Sequence, residues 1–236
     1  MFFKKEPIIT FKCDPELRGA IPDPTSASEC IPKWFRKMPY DDGPGFNTVK
    51  RCVPFKDAMS MGYIIPLWLD INVCNDGDRV SFGYQNPDVF GGKVFGNHLP
   101  MQIEGCPIRN TTYGNQPMKF FSPWLITTPP GWSCMFIQPI NHFDGRLHII
   151  TGVVDTDKYK SNVNFPFIWM DKKFNGIIPQ GTPLVQVIPF KRTEWNHEIS
   201  DMSQKDRLAN SSTINKINSV FKNYYRLSLW TPKRYK

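Results

Sequence analysis

The residues whose types and spacing suit chemistry lie in two short runs. The first is Gly152-Val-Val-Asp155-Thr-Asp157-Lys-Tyr159, a carboxylate pair behind two β-branched residues and ahead of a tyrosine. It reads as an apolar strand ending in a sharp turn at Asp155. The second is His142-Phe-Asp144 with His197 downstream. Two imidazoles and a carboxylate in this order can hold Fe(II) on one face. Arg207, ten residues further on, can hold a carboxylate. The competing reading of Asn-His-Phe-Asp-Gly is an ordinary polar turn, and His148 on its apolar strand reads as a core histidine. No P-loop, no G-x-G-x-x-G before a helix and no G-x-S-x-G occurs.

The elements that must position these residues read mainly as β. PPGWSCMFIQP, LHIITGVVD, VNFPFIW and TPLVQVIPF are apolar strand patterns separated by turns. LHIITGVVD is predicted as one long strand buried on both faces. Upstream, PFKDAMSMG is a short helix ended by Gly62. YIIPLWLDINV is a strand in which Pro66 marks an edge or a bulge. NDGD at 75–78 is a hairpin turn, and RVSFGY at 79–84 is its return strand. A short strand is expected near Met101–Ile103, and MKFFSPWLITT is another strand region.

Residues 1–50 form a Pro-rich extended arm, because Pro22, Pro24, Pro32 and Pro39 oppose helix and central strand alike. Its Trp34–Phe35 pair is expected to plant on the chain's own body or on another subunit. Residues 51–192 form the β core, with its most distinctive part at 129–190. Residues 193–236 form a basic C-terminal helix and tail. Ser211 or Ser212 caps that helix. Ile214, Ile217, Val220, Phe221 and Tyr224 share one stripe expected to dock on the body, and Lys216, Lys222 and Arg226 lie around the other side.

Composition bounds the function classes. Hydrophobic residues are 40% of the chain, which places it among globular rather than disordered proteins. No run of 18 apolar residues occurs, so no membrane span is expected. The start, MFFKKEPIITF, has no pattern of a secretory signal. The six cysteines form no C-x-x-C pair, which disfavours a local zinc site and leaves free buried thiols as the expectation. The net charge of +8 is uneven: from Pro189 to Lys236, ten Lys/Arg face four Asp/Glu, giving +6. Such a tail suits an acidic protein surface or a nucleic acid. The aromatics Trp34, Phe35, Trp195, Tyr224, Tyr225, Trp230 and Tyr235 suit interface anchors more than base stacking.

Gly152-Val-Val-Asp155-Thr-Asp157-Lys-Tyr159 resembles the third motif of trimeric deoxyuridine triphosphatases, and the flanks agree in order. PPGWSCMFIQP resembles the strand leading into that family's second motif. IIPQGTPLVQVIPF resembles the strand after its uridine pocket, with Gln186 at the family's Gln. The resemblance covers about sixty residues and implies a β-clip fold that is often trimeric. It implies that Asp155 orients the attacking water, that Tyr159, one place out of register, stacks on the base, and that Asp157 and Gln186 belong to the ligand site. The family's Arg-Ser-Gly after Pro139 is replaced by Ile140-Asn141-His142, and its Gly-rich tail by a basic helix.

The whole chain is similar, more loosely, to a group of proteins of marine T4-like phages, cyanophages in particular. MFFKKEP, KRCVPFKDAMSMGYIIP, GVVDTD and GTPLVQVIPFKR carry that similarity. It implies a viral protein of the host cytoplasm or the virion. The expectation is therefore a degenerate deoxyuridine-triphosphatase-like β-clip serving, without a cofactor, as an assembly or binding module. Its partners would be copies of itself (a trimer among the options), other virion proteins, or nucleic acid through the basic C-terminus. One alternative is a nucleotide-binding or nucleoside-triphosphate pyrophosphatase site with Mg²⁺ at Asp155. The other is an Fe(II)/2-oxoglutarate oxygenase using His142, Asp144 and His197.

Overall fold

The computed structural model describes residues 6–43, 47–76, 79–85, 93–107, 117–218 and 223–236. It is mainly β, with four antiparallel sheets among the described residues. The largest sheet has the order β11 (Gly152–Val154), β9 (Trp132–Ile137), β14 (Pro183–Lys191), β3 (Tyr63–Pro66) and β2 (Thr25–Ser26). A second has β10 (Leu147–Ile149), β12 (Asn164–Trp169), β7 (Met118–Phe121) and β6 (Phe95–Asn97). The third has β13 (Gly176–Ile178), β4 (Ile71–Asn75) and β5 (Val80–Gly83). The fourth pairs β1 (Thr10–Lys12) with β8 (Leu125–Thr127).

β14 holds the largest sheet together because it pairs along both edges, with β3 and with β9. It is covered on both faces as well, which calls for a continuous apolar run, and Leu184 to Ile188 are all buried, Gln186 included. Its prolines fall where the ladder tolerates them. Pro183 faces Pro66 at a register shift, and Pro189 lies beyond the last residue paired with β3. Of the edge or bulge expected at Pro66, the edge is excluded because β3 lies between β14 and β2, and the irregularity is in β14, between Pro183 and Val185 opposite Pro66. Gly62, just before β3, has φ +71°, and a Cβ there would lie 2.0 Å from the Val187 carbonyl oxygen. Only glycine fits so close an approach.

The main core gathers aromatics from three sheets. Phe120 of β7 stacks on Phe167 of β12 at 4.3 Å, and Phe82 of β5 meets Trp169 of β12 at 5.3 Å. A second cluster packs α1 (Lys33–Lys37) on α2 (Val53–Ser60) through Phe35 and Met59. Residues 6–43 lie along the body: β1 and β2 add strands, and Trp34 contacts Phe55 and Phe143. The prolines there do not exclude a helix, since Pro32 immediately precedes α1 and Pro39 follows it.

Several expectations change. YIIPLWLDINV and MKFFSPWLITT are each two strands in different sheets, β3 and β4 in the one case and β7 and β8 in the other. LHIITGVVD is two strands in different sheets, β10 and β11, with His148 and Val153 exposed. Its apolar residues serve two surfaces at a corner rather than two faces of one strand. The run near Met101–Ile103 is a 3₁₀ turn, Pro100–Ile103, begun by proline and closed by Gln102 on the Leu99 N–H. The C-terminal helix α3 (Gln204–Asn218) starts earlier than expected. Ser203 Oγ accepts from the Asp206 N–H, and the Asp206 carboxylate accepts from Ser203, a reciprocal cap. Ser211 and Ser212 lie inside the helix, and no α3 residue is buried. Val220 and Phe221 of the expected stripe and Lys222 of the opposite side lie outside the described residues, as do positions 77–78 of the hairpin turn. No helix among the described residues is long and apolar enough to cross a membrane.

Candidate functional site

The turn after β11 presents Asp155, and the backbone N–H groups of Lys158 and Tyr159 both donate to its carbonyl. The two carboxylates then meet one guanidinium. Arg192, directly after β14, donates through Nη1 to Asp155 Oδ1 (3.2 Å) and Asp157 Oδ1 (2.9 Å), and through Nη2 to Asp157 Oδ2 (2.5 Å). Ser133 Oγ donates to Asp155 Oδ1 at 2.6 Å, and the Gly131 N–H donates to Asp157 Oδ2 at 2.8 Å. The Asp157 side chain is only 7% exposed, whereas that of Asp155 is 51% exposed. Arg192, aided by the Gly131 N–H, holds the Asp157 carboxyl well below the usual carboxylate range.

The chemistry of this cluster is largely closed. A bidentate guanidinium–carboxylate pair is a strong and directional contact. Asp157 neutralises Arg192, so the cation that a phosphate would need is already matched. Mg²⁺ does not fit, because both Asp157 oxygens accept from Arg192 and only one exposed Asp155 oxygen remains. Sequence reasoning missed Ser133, Gly131 and Arg192. They lie 22 to 37 residues from their partners, a separation that no local motif reports.

Tyr159 and Gln186 serve elsewhere. The Tyr159 ring is exposed, and its backbone N–H closes the Asp155 turn. Gln186 is fully buried; its Oε1 accepts from the Ile140 N–H at 2.9 Å, and its Nε2 donates to the carbonyls of Ala58 (3.1 Å) and Met61 (2.7 Å). It ties β14 to the end of α2 and to the Pro139 turn. Fully buried and with both amide N–H groups engaged, it offers no donor to a base.

The His142 loop is strained. Asn141 and Phe143 have φ of 58° and 56°, a region that L-residues other than glycine seldom adopt. Trp34 Nε1 donates to the Asn141 carbonyl at 3.1 Å. His142 Nε2 is buried and has no hydrogen-bond partner among the described residues, and burial lowers the imidazole's proton affinity. Asp144 accepts from Arg146 on both carboxylate oxygens, at 2.9 and 2.6 Å, which holds it below the usual range. His197 lies in an exposed, irregular stretch. Fe(II) does not fit, because the carboxylate is taken and the three residues form no cluster. Among the described residues no group of three or more His, Cys, Asp or Glu is arranged for a metal ion.

No protein-family model matches the chain, and no curated protein matches it.

Two other surfaces remain. A cleft of about 730 Å³ runs between β4, β5 and the Gln180 turn, lined by Trp68, Asp70, Asn72, Tyr84, Ile177 and Gln180 among others. Asp70 accepts from the Gln180 N–H at 2.6 Å, which fixes the turn. None of Asp155, Asp157, Tyr159 or Gln186 lines this cleft. The second surface is the C-terminal excursion between two anchors. Arg192 is pinned to the Asp155 turn at one end. At the other, Trp230 Nε1 and Lys233 Nζ both donate to Asp57 of α2, at 2.7 and 2.9 Å, and Tyr235 packs on Tyr63. Between the anchors, Trp195 is 89% exposed, Ile199 93% and Leu227 80%. Ile214 and Ile217, expected to dock on the body, are exposed as well.

Proposed function

We propose that this chain is a non-enzymatic assembly or binding module of phage type. In this reading a degenerate deoxyuridine-triphosphatase-like β-clip is the scaffold, and the C-terminal excursion is the working surface. The protein then acts in the infected host's cytoplasm or within the virion.

The excursion carries the proposal. A segment tied to the body at both ends, with exposed Trp195, Ile199 and Leu227 and no buried residue in its helix, has the composition of an interface without its partner. The Asp155 cluster supports the same reading from the other side. Its cation is matched by Asp157, and its best-positioned carboxylate is buried in that pair. Phosphoryl chemistry depends on unpaired cations and metal-ligating carboxylates to offset developing charge. The Asp155–Arg192 contact reads instead as the clasp that fixes where the excursion leaves the body.

The test is incubation of the full chain with deoxynucleoside triphosphates, the uridine form included, and Mg²⁺. No pyrophosphate release above the protein-free control is expected. Release that disappears in Asp155→Asn overturns the proposal in favour of a nucleotide pyrophosphatase.

A further inference from the structure

We infer that the partner of the C-terminal excursion is the excursion of a second copy of this chain, paired antiparallel. The inference rests on reading the protein as an assembly module and names the partner for that surface.

Charge along the excursion is segregated. Residues 193–204 contain Glu194, Glu198 and Asp201 and no Lys or Arg; after the neutral Lys205-Asp206 pair, residues 207–218 and 223–229 contain Arg207, Lys216 and Arg226 and no Asp or Glu. Among the described residues none of the three acidic side chains forms an ion pair. Each half also carries unburied apolar side chains: Trp195 and Ile199 in the acidic half, Ile214, Ile217 and Leu227 in the basic half. Within one copy the halves do not fold back on each other, as the exposure of all five residues shows.

A surface made of two opposite halves is complementary to itself under a two-fold axis. The acidic half of one copy meets the basic half of the other, and the reverse contact follows by symmetry. The geometry permits this. The irregular stretch 193–203 spans up to about 36 Å when extended, and α3 is about 22 Å long, so one can run the length of the other. A polyanion such as nucleic acid fits less well, because the acidic half next to the basic one repels it. The two anchors keep each excursion fixed to its own body, which lowers the ordering cost of pairing.

The test is charge-swap complementation in full chains, read by sedimentation equilibrium at low and high salt. One variant combines Glu194→Lys, Glu198→Lys and Asp201→Lys; the other combines Arg207→Glu, Lys216→Glu and Arg226→Glu. The parent is expected to sediment at twice 27.3 kDa at low salt and to dissociate as salt rises. Each variant alone is expected at 27.3 kDa with the far-ultraviolet circular dichroism of the folded parent, and an equimolar mixture at the doubled mass. A parent that stays monomeric overturns the inference, as does a mixture that stays monomeric or a single variant that keeps the doubled mass. So does salt-dependent binding of a random oligonucleotide by a monomeric parent. A monomeric chain that is also inert towards nucleotides removes the pairing while leaving the assembly-module reading standing; Asp155-dependent hydrolysis removes that reading itself.

Discussion

Replacing Gln186 by methionine separates a structural amide from a ligand-binding one. The side chain is fully buried in β14 and makes three hydrogen bonds, one accepted from Ile140 and two donated to Ala58 and Met61. Methionine preserves length and apolar packing and removes all three. Each such bond contributes on the order of 1 kcal/mol net, and the backbone partners stay behind half-buried, so the loss is about 3 kcal/mol. For a chain of this size 1 kcal/mol moves the melting temperature by roughly 2–4 °C, which gives a fall of roughly 6–12 °C. Thermal unfolding followed by circular dichroism reads it. Gln186→Glu adds a second signature. It keeps an acceptor for Ile140 but sets a carboxylate against two carbonyls, so it favours the protonated acid, and its melting temperature should be higher at pH 5 than at pH 8. A Gln186→Met protein that melts within about 2 °C of the parent would refute the reasoning and return Gln186 to the list of ligand-site residues.

Gly62→Ala combines a left-handed backbone with a 2.0 Å approach to the Val187 carbonyl. Adding the strain of each gives a destabilisation of roughly 2–5 kcal/mol, measurable by urea unfolding. Arg192→Met releases Asp157. Because Arg192 depresses the folded-state proton affinity of Asp157 below its ordinary 3.8, that contribution is complete above this pH and is lost as pH falls beneath it. The gap in melting temperature between parent and variant should therefore be widest near neutrality and narrow below pH 3.8. Of the six thiols expected to be buried only Cys134 is, and burial pushes it up to about 11; Cys13 and Cys30 are half-buried, and Cys52, Cys74 and Cys106 are exposed. Iodoacetamide at pH 8 should label those three in the native protein and reach Cys134 only after unfolding, as read by peptide mass spectrometry. Asn141→Val places a β-branched residue at φ 58° and should cost about 1–3 kcal/mol, whereas Asn141→Gly should not.

Local pattern made much of the fold readable. Alternation over Ile71–Asn75 and the return strand at Val80–Gly83 gave the hairpin, because that signal acts through nearest neighbours. What escaped depended on distant partners. LHIITGVVD has the composition of one strand, yet its halves answer to β12 and β9 in different sheets. The helix start was misplaced because Ser203 and Asp206 cap each other ahead of the apolar stripe. At the candidate site, the Asp pair was legible as a motif, but its meaning was set by Arg192, more than thirty residues away in sequence. Gln186 sits in an apolar run, where its amide is satisfied by two backbone turns that no sequence pattern connects to it.

The central claim is that the excursion after Arg192 does the work and the Asp155 turn only holds it. Amide hydrogen–deuterium exchange of the full chain tests this most directly, across a protein concentration series and with deoxyuridine triphosphate plus Mg²⁺. The account predicts protection that rises with protein concentration across residues 193–218 and no change at residues 152–159 on adding nucleotide. Protection gained at residues 152–159 with nucleotide, while residues 193–218 exchange freely at every concentration, would contradict it.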